Sequence, residues 1–294
     1  MDKNTITGIV LIGLLLFGFT FYQNKQYQKQ AAYQAQLDSI ALVKQIQADS
    51  IAAVEAAQRM SSDTASVAQV AAAPVSIYKD SLLEAAHSAE AQIVTLANDK
   101  FEVAFTTKGA QPYSVKINEY SSYGGGELFI FKPEMSRYDI QVYAGETINT
   151  ADFNFVVAEK TDTSLAMRLP FAGGGYIEQR YSIAEGSYSV KNYLSFVGME
   201  NVIPKNVFSF DVDYFVTMPR MEKGYKSEVQ YSKLDYYFNG EKKPEAIAKG
   251  RSAQKRVDAR VSWFAFQQQF FSAIMRSPQE FASADFALNY FPED

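Results

Sequence analysis

Cysteine is absent from the 294 residues of this chain. Without it there is no disulfide framework and no thiolate metal centre. Histidine occurs once, as His87, and tryptophan once, as Trp263. No metal-ligand cluster and no nucleophile motif stands out, so the expectation is a protein that is not an enzyme and takes no cofactor. Positive charge is also in short supply: 28 Lys and Arg face 33 Asp and Glu, for a net charge of −5. Phosphate binding needs clustered Lys and Arg, which argues against a nucleic-acid partner. What the chain holds in quantity is aromatic side chains, 19 Tyr and 22 Phe. These favour half-buried, pleated backbone, and the first expectation is an export-side β domain.

One long apolar run is present, Ile6 to Tyr22, written ITGIVLIGLLLFGFTFY. As a helix it would span roughly 25 Å, against a bilayer core of about 30 Å. A helix satisfies each backbone amide within the segment, as lipid requires. Residues 1–22 are therefore read as a membrane anchor. A cleaved signal peptide would need a basic leader and a small-x-small exit. Here the leader is Met1-Asp2-Lys3-Asn4, and the exit through Phe19-Thr20-Phe21-Tyr22 is bulky and suits the membrane interface. Lys3 before the run and Lys25 and Lys29 after it give almost no orientation bias. The long acidic segment that follows, with no second apolar run, favours a cytoplasmic N-terminus and an exported remainder.

Residues 23–90 read as a tether and linker. Gln23 to Met60 is rich in Ala and Gln and lacks Gly and Pro, which favours helix. Asp38-Ser39-Ile40-Ala41 returns as Asp49-Ser50-Ile51-Ala52. That eleven-residue period suits a right-handed coiled coil or a solvated tether without a partner. Ser61 to Pro74 loses periodicity and reads as a flexible linker. SLLEAAHSAE reads as a short helix holding His87, a lone histidine taken as solvated.

From residue 91 to 294 the texture is that of strands. QIVTLAN and KFEVAFTT flank a turn at Asn98-Asp99, and Phe101, Val103 and Phe105 give one apolar face. PYSVKINEY, ELFIF, DIQVYA, ADFNFVVAEK, SLAMRLPF, GYIEQRYSI, YSVKNYLSFVGM, NVFSFDVDYFVTM and EVQYSKLDYYFNGE follow, with turn signals about every ten residues. That spacing predicts a sandwich or barrel. Gly124-Gly125-Gly126 forces a loop, and Gly173-Gly174-Gly175 lacks the Lys-Ser/Thr of a phosphate loop and reads as a hairpin. Glu245 to Arg260 reads as a loop, with Lys249, Arg251, Lys255, Arg256 and Arg260 solvated or offered to anionic headgroups or an acidic partner. In VSWFAFQQQFF, the residues Trp263, Phe264, Phe266, Phe270 and Phe271 are candidate contacts to a partner or to the membrane-embedded part. The competing reading of that stretch is a C-terminal helix packed on the sandwich core.

The opening MDKNTITGIVLIGLLLFGF resembles the first transmembrane segment of YidC-type membrane protein insertases, especially their Bacteroidetes branch. FTTKGAQPYSVKINEYSSYGGGELFIF is similar to the opening strands of that family's periplasmic domain, and RVDARVSWFAFQQQFFSAIM resembles the stretch that closes it and leads back towards the membrane. The pieces occur in the family's order. The resemblance implies a galactose-mutarotase-like β-supersandwich with a helix near its end. It implies an insertase of the bacterial inner membrane that receives nascent membrane proteins from the ribosome or the Sec translocon and passes them into lipid. The family's insertion groove lies in five further membrane helices, which have no counterpart before Asp294, so no groove residue is assigned. The expectation is either a piece of a longer protein or a short relative.

Two other classes are weighed beside this one. A sugar enzyme on the same fold would need a histidine acid and a carboxylate base. Glu178 and Asp213 are the carboxylates on offer, and His87 precedes the strand region. A membrane-tethered envelope protein that binds peptide or carbohydrate on a mutarotase-like β-sandwich is the alternative.

Overall fold

The alternation in KFEVAFTT sets the face around which the body packs. In the computed structural model, which describes residues 78–290 apart from Asn239 and Gly250, Phe101, Val103 and Phe105 are fully buried. Glu102 and Ala104 on the opposite face are only half-buried. The apolar run Ile6 to Tyr22, the tether and the linker up to residue 77 lie outside the described residues. Among the described residues no helix is long and apolar enough to cross a membrane.

The described chain is mainly β. One sheet follows sequence order: β1 (Ile93–Ala97), β2 (Phe101–Thr106), β3 (Gln111–Ser121) and β4 (Glu127–Phe131). A second runs β10 (Val190–Val197), β9 (Tyr176–Ile183), β8 (Ser164–Pro170) and β7 (Val156–Lys160). Between them in sequence, β5 (Ser136–Tyr143) pairs with β6 (Thr147–Asn149) and with β11 (Asp211–Val216). The C-terminal part forms a sheet of β13 (Glu245–Lys249), β12 (Lys233–Phe238), β15 (Val261–Gln267) and β16 (Ser272–Phe281), plus the pair β14 (Ala253–Val257) and β17 (Ala284–Leu288). Adjacent strands are antiparallel throughout. Two α-helices are described, α1 (Ser81–Ser88) and α2 (Tyr225–Tyr231).

The two four-stranded sheets β1–β4 and β7–β10 share one core. Leu96, Phe101 and Phe105 meet Leu165, Met167 and Ile177 there, and the rings of Phe105 and Tyr181 lie 4.4 Å apart. Burial of each such side chain contributes about 1.5–3 kcal/mol. Leu234, Tyr236, Ile247, Val257, Val261, Phe264 and Phe286 form a second core under β12–β17.

The Asn98-Asp99 turn does more than reverse the chain. Asn98 Oδ1 accepts from the amides of Lys100 and Phe101 at 2.9 and 3.0 Å, closing a local Asx turn. Its Nδ2 donates to the carbonyls of Ala184 and Ser187 at 2.7 and 2.8 Å, and Asp99 Oδ1 accepts from Gly186 N at 2.8 Å. One hairpin turn thus clamps the β9–β10 turn of the opposite sheet.

The predicted helix in SLLEAAHSAE is α1. Asp80 caps it, with Oδ1 accepting from Leu82 and Leu83 N, while Oδ2 takes Ala172 N at 2.8 Å. Leu83 and Ala86, assigned above to the linker, are buried in the first core. His87 is half-buried rather than solvated: its Nδ1 lies 3.0 Å from the Asp152 carbonyl and its ring is 5.3 Å from that of Tyr78.

Three expectations are corrected. The predicted C-terminal helix is absent from the described residues; β15, β16 and β17 occupy that region. Aromatic residues at both parities pack well on a central strand, against its core on one face and cross-strand rings on the other, and that outweighs the helical reading. Glu245 to Arg260 is not a loop but carries β13 and β14. Two cations of its basic run form exposed surface pairs: Lys255 with Glu245 at 2.7 Å, and Arg256 with Asp258 and Asp285 at 2.8 and 2.9 Å. Finally, EVQYSKLDYYFNGE begins as the end of α2 and becomes strand only at Lys233.

Candidate interaction surface

The aromatic run of β15 is divided by the pleat. Phe264 points into the second core, with Phe281 and Phe286 rings at 5.8 and 5.6 Å. Phe266 joins it at the margin, 5.7 Å from Tyr214. Trp263 lies on the other face, stacked on Tyr237 at 6.1 Å and 14°. Beyond the strand, Gln268 N bonds Phe271 O at 2.9 Å and turns the chain. Phe271 packs against the first core and edge-on to Tyr120 at 5.8 Å. Phe270, at the tip of the turn, is 67% exposed. The five predicted residues therefore do not share a face: Phe270 is exposed, Trp263, Phe266 and Phe271 are half-buried, and Phe264 is buried.

The turn holding Phe270 is stitched to two other loops. Gln268 Nε2 donates to the Pro219 carbonyl at 3.0 Å. Arg220 Nη2 donates to the Tyr123 hydroxyl at 3.0 Å and its guanidinium lies 5.5 Å from that ring. Tyr123 sits in the β3–β4 loop, where Ser122 N and Gly126 O close a 2.9 Å bond around the predicted glycine run. The loops border a cleft of about 260 Å³ lined by Ser122, Tyr123, Lys132, Pro219, Arg220 and Met221 among others. Met221 N donates to Glu228 Oε1 of α2 at 3.0 Å. Burial raises the Glu228 carboxyl above its ordinary range even though the Met221 and Glu222 amides favour its charged form. Sequence reasoning passed over Tyr120, Tyr123 and Arg220. An aromatic beside a glycine triplet was the one local signal for Tyr123; nothing local marks Arg220.

The two carboxylates considered for acid–base chemistry stand in different surroundings. Glu178 accepts from Arg168 Nε at 2.7 Å and Arg180 Nε at 3.1 Å. Burial works against its charge, but the two arginines prevail and hold it below the usual carboxylate range. A carboxyl so held is a poor proton donor at neutral pH. Asp213 is on β11, opposite Asp139 in the β5 register. Among the described residues no group of three or more His, Asp or Glu side chains is placed to hold a metal ion.

Because the folded pKa of Glu178 is depressed, its carboxylate stabilises the fold above the unfolded value. That contribution is lost as pH falls through the folded value. Glu178→Gln is expected to flatten part of the acid limb of the Tm-versus-pH curve below about pH 5. An unchanged acid limb in thermal melts would contradict the arginine pairing.

Fold and surface together define a mainly β protein with a tip where three loops are bonded together. No family profile matches the chain. Relatives do. The chain is 29% identical to the "Membrane protein insertase YidC" of Bacteroides fragilis over 282 residues, covering 96% of this chain and 44% of the relative. It is 28% identical to the protein of that name in Phocaeicola vulgatus, covering 97% and 44%. With that of Parabacteroides distasonis it shares 25% identity over 100% of this chain and 47% of the relative. These relatives bear out the resemblance to YidC-type insertases. The chain spans less than half the length of the curated relatives it matches.

Proposed function

We propose that this chain is the anchor and exported β portion of a YidC-type membrane protein insertase, acting without catalysis of its own. The observation that carries this is the extent of the likeness: at 96% coverage it must run well into the first 77 residues as well as through the β body. In this reading residues 1–22 anchor the chain in the bacterial inner membrane with a cytoplasmic N-terminus. The tether follows, and the periplasmic body, assigned from residue 91 by sequence, begins at α1. The shared core of two antiparallel sheets favours a galactose-mutarotase-like supersandwich for that body. Its role is to assist delivery of nascent membrane proteins into lipid, alone or beside Sec translocon components.

The test is a chimera. This chain replaces the matching segment of the Bacteroides fragilis relative, in cells depleted of their own insertase. Growth and insertion of a reporter membrane protein are expected to be restored by the chimera. A chimera that accumulates normally in the membrane yet restores neither overturns the proposal.

A further inference from the structure

Three segments distant in sequence, the β3–β4 loop, Pro219–Met221 and the Gln268–Phe271 turn, are bonded into one tip. Tyr123 and Phe270 on it, and Tyr120 at the adjoining end of β3, are each more than half exposed. Beside Tyr123, Lys132 and Arg220 line the cleft and are exposed. Glu127, which also borders the cleft, is paired with Lys116 at 3.3 Å. Two exposed cations of an acidic chain thus stand beside exposed aromatic rings. Tyr, Phe and Arg in that arrangement match a membrane interface, where rings settle among headgroups and cations meet phosphate.

We propose that this tip docks on the surface of an anionic phospholipid bilayer, with a headgroup phosphate seated between Lys132 and Arg220 and the Tyr123 and Phe270 rings in the interfacial layer. The inference rests on the anchor reading in one respect. If residues 6–22 sit in lipid, the 55 residues 23–77 confine the body to within roughly 190 Å of the bilayer at full extension. Even a weak surface contact then gains from high effective concentration. Charge complementarity selects an anionic surface, and the exposed rings favour lipid over an acidic protein face.

The absence of cysteine provides the test, since Phe270→Cys and Ala172→Cys each create the sole thiol of the full chain. Ala172 is exposed in the β8–β9 loop beside Asp80, at the end of β9 away from the clamped β9–β10 turn. Each thiol carries an environment-sensitive fluorophore, and the chain is reconstituted in vesicles bearing a lipid-linked quencher. In phosphatidylglycerol-containing vesicles the label at 270 is expected to be quenched about threefold more than that at 172. In pure phosphatidylcholine, or at high salt, the difference should collapse. Lys132→Gln with Arg220→Gln should weaken docking roughly 10- to 30-fold, with an unchanged thermal melt. Equal quenching at 270 and 172 in anionic vesicles overturns the proposal, as does a difference that ignores the two cations. If an alkaline wash strips the chain from the vesicles, the anchor reading falls. The comparison of 270 with 172 in the unwashed vesicles still decides the tip.

Discussion

Gly175→Ala is expected to destabilise the body by about 3 kcal/mol or more, a loss of roughly 6–12 °C in Tm for a domain of this size. Gly175 closes the β8–β9 hairpin, where its carbonyl accepts from Phe171 N at 3.1 Å. Its φ of +79° lies in the left-handed region that L residues enter at a cost. A Cβ there would also stand 2.3 Å from the Gly198 carbonyl oxygen and 2.4 Å from that of Val197. Both obstacles are backbone at the end of β10, so no side chain can swing aside. Gly174 is the internal control: its φ is +98°, yet a Cβ would meet nothing within 4 Å. Gly174→Ala should therefore cost only the backbone strain, about 1 kcal/mol. Equal melting temperatures for the two variants would show that the approach of β10 to the hairpin does not matter.

The hairpin was legible in the sequence because a glycine triplet between two alternating strands has few other uses. KFEVAFTT was legible for a related reason: β2 has one buried and one half-buried face, so its pattern has period two. VSWFAFQQQFF was not. β15 lies between β12 and β16 in its sheet, and buried side chains occur at both parities, Phe264 at one and Val261 and Ala265 at the other. Apolar residues then occupy both parities, and the period that separates strand from helix disappears. The charged stretch from Glu245 misled in another way. Lys255 and Arg256 are exposed, as the sequence suggests, but they stand on strand β14, and their partners Glu245 and Asp285 arrive from other strands. The tip could not be read at all, because Tyr123, Arg220 and Phe270 come together only through contacts across 97 and 49 residues. Strand pattern is local information, whereas the surface is a product of topology.

The same division of β15 determines which variants can report on function. Phe264→Ala removes a ring that is 9% exposed and packed on Phe266, Phe281, Phe286 and Tyr214. The expected loss is about 3–5 kcal/mol, enough to unfold a marginal body. Trp263→Ala gives up half-buried stacking on Tyr237 and should cost about 1–2 kcal/mol. Because Trp263 is the chain's sole tryptophan, its emission follows both the Phe264→Ala melt and that of the parent chain without added label. Phe270→Ala, by contrast, removes an exposed ring and should leave the melt within about 0.5 kcal/mol of the parent. In the chimera, a defect from Phe264→Ala would then report only loss of fold. A defect from Phe270→Ala with an intact melt would report contact. If instead Phe264→Ala melts like the parent, the second core is not organised around that ring, and the aromatic run must be reconsidered as a binding face.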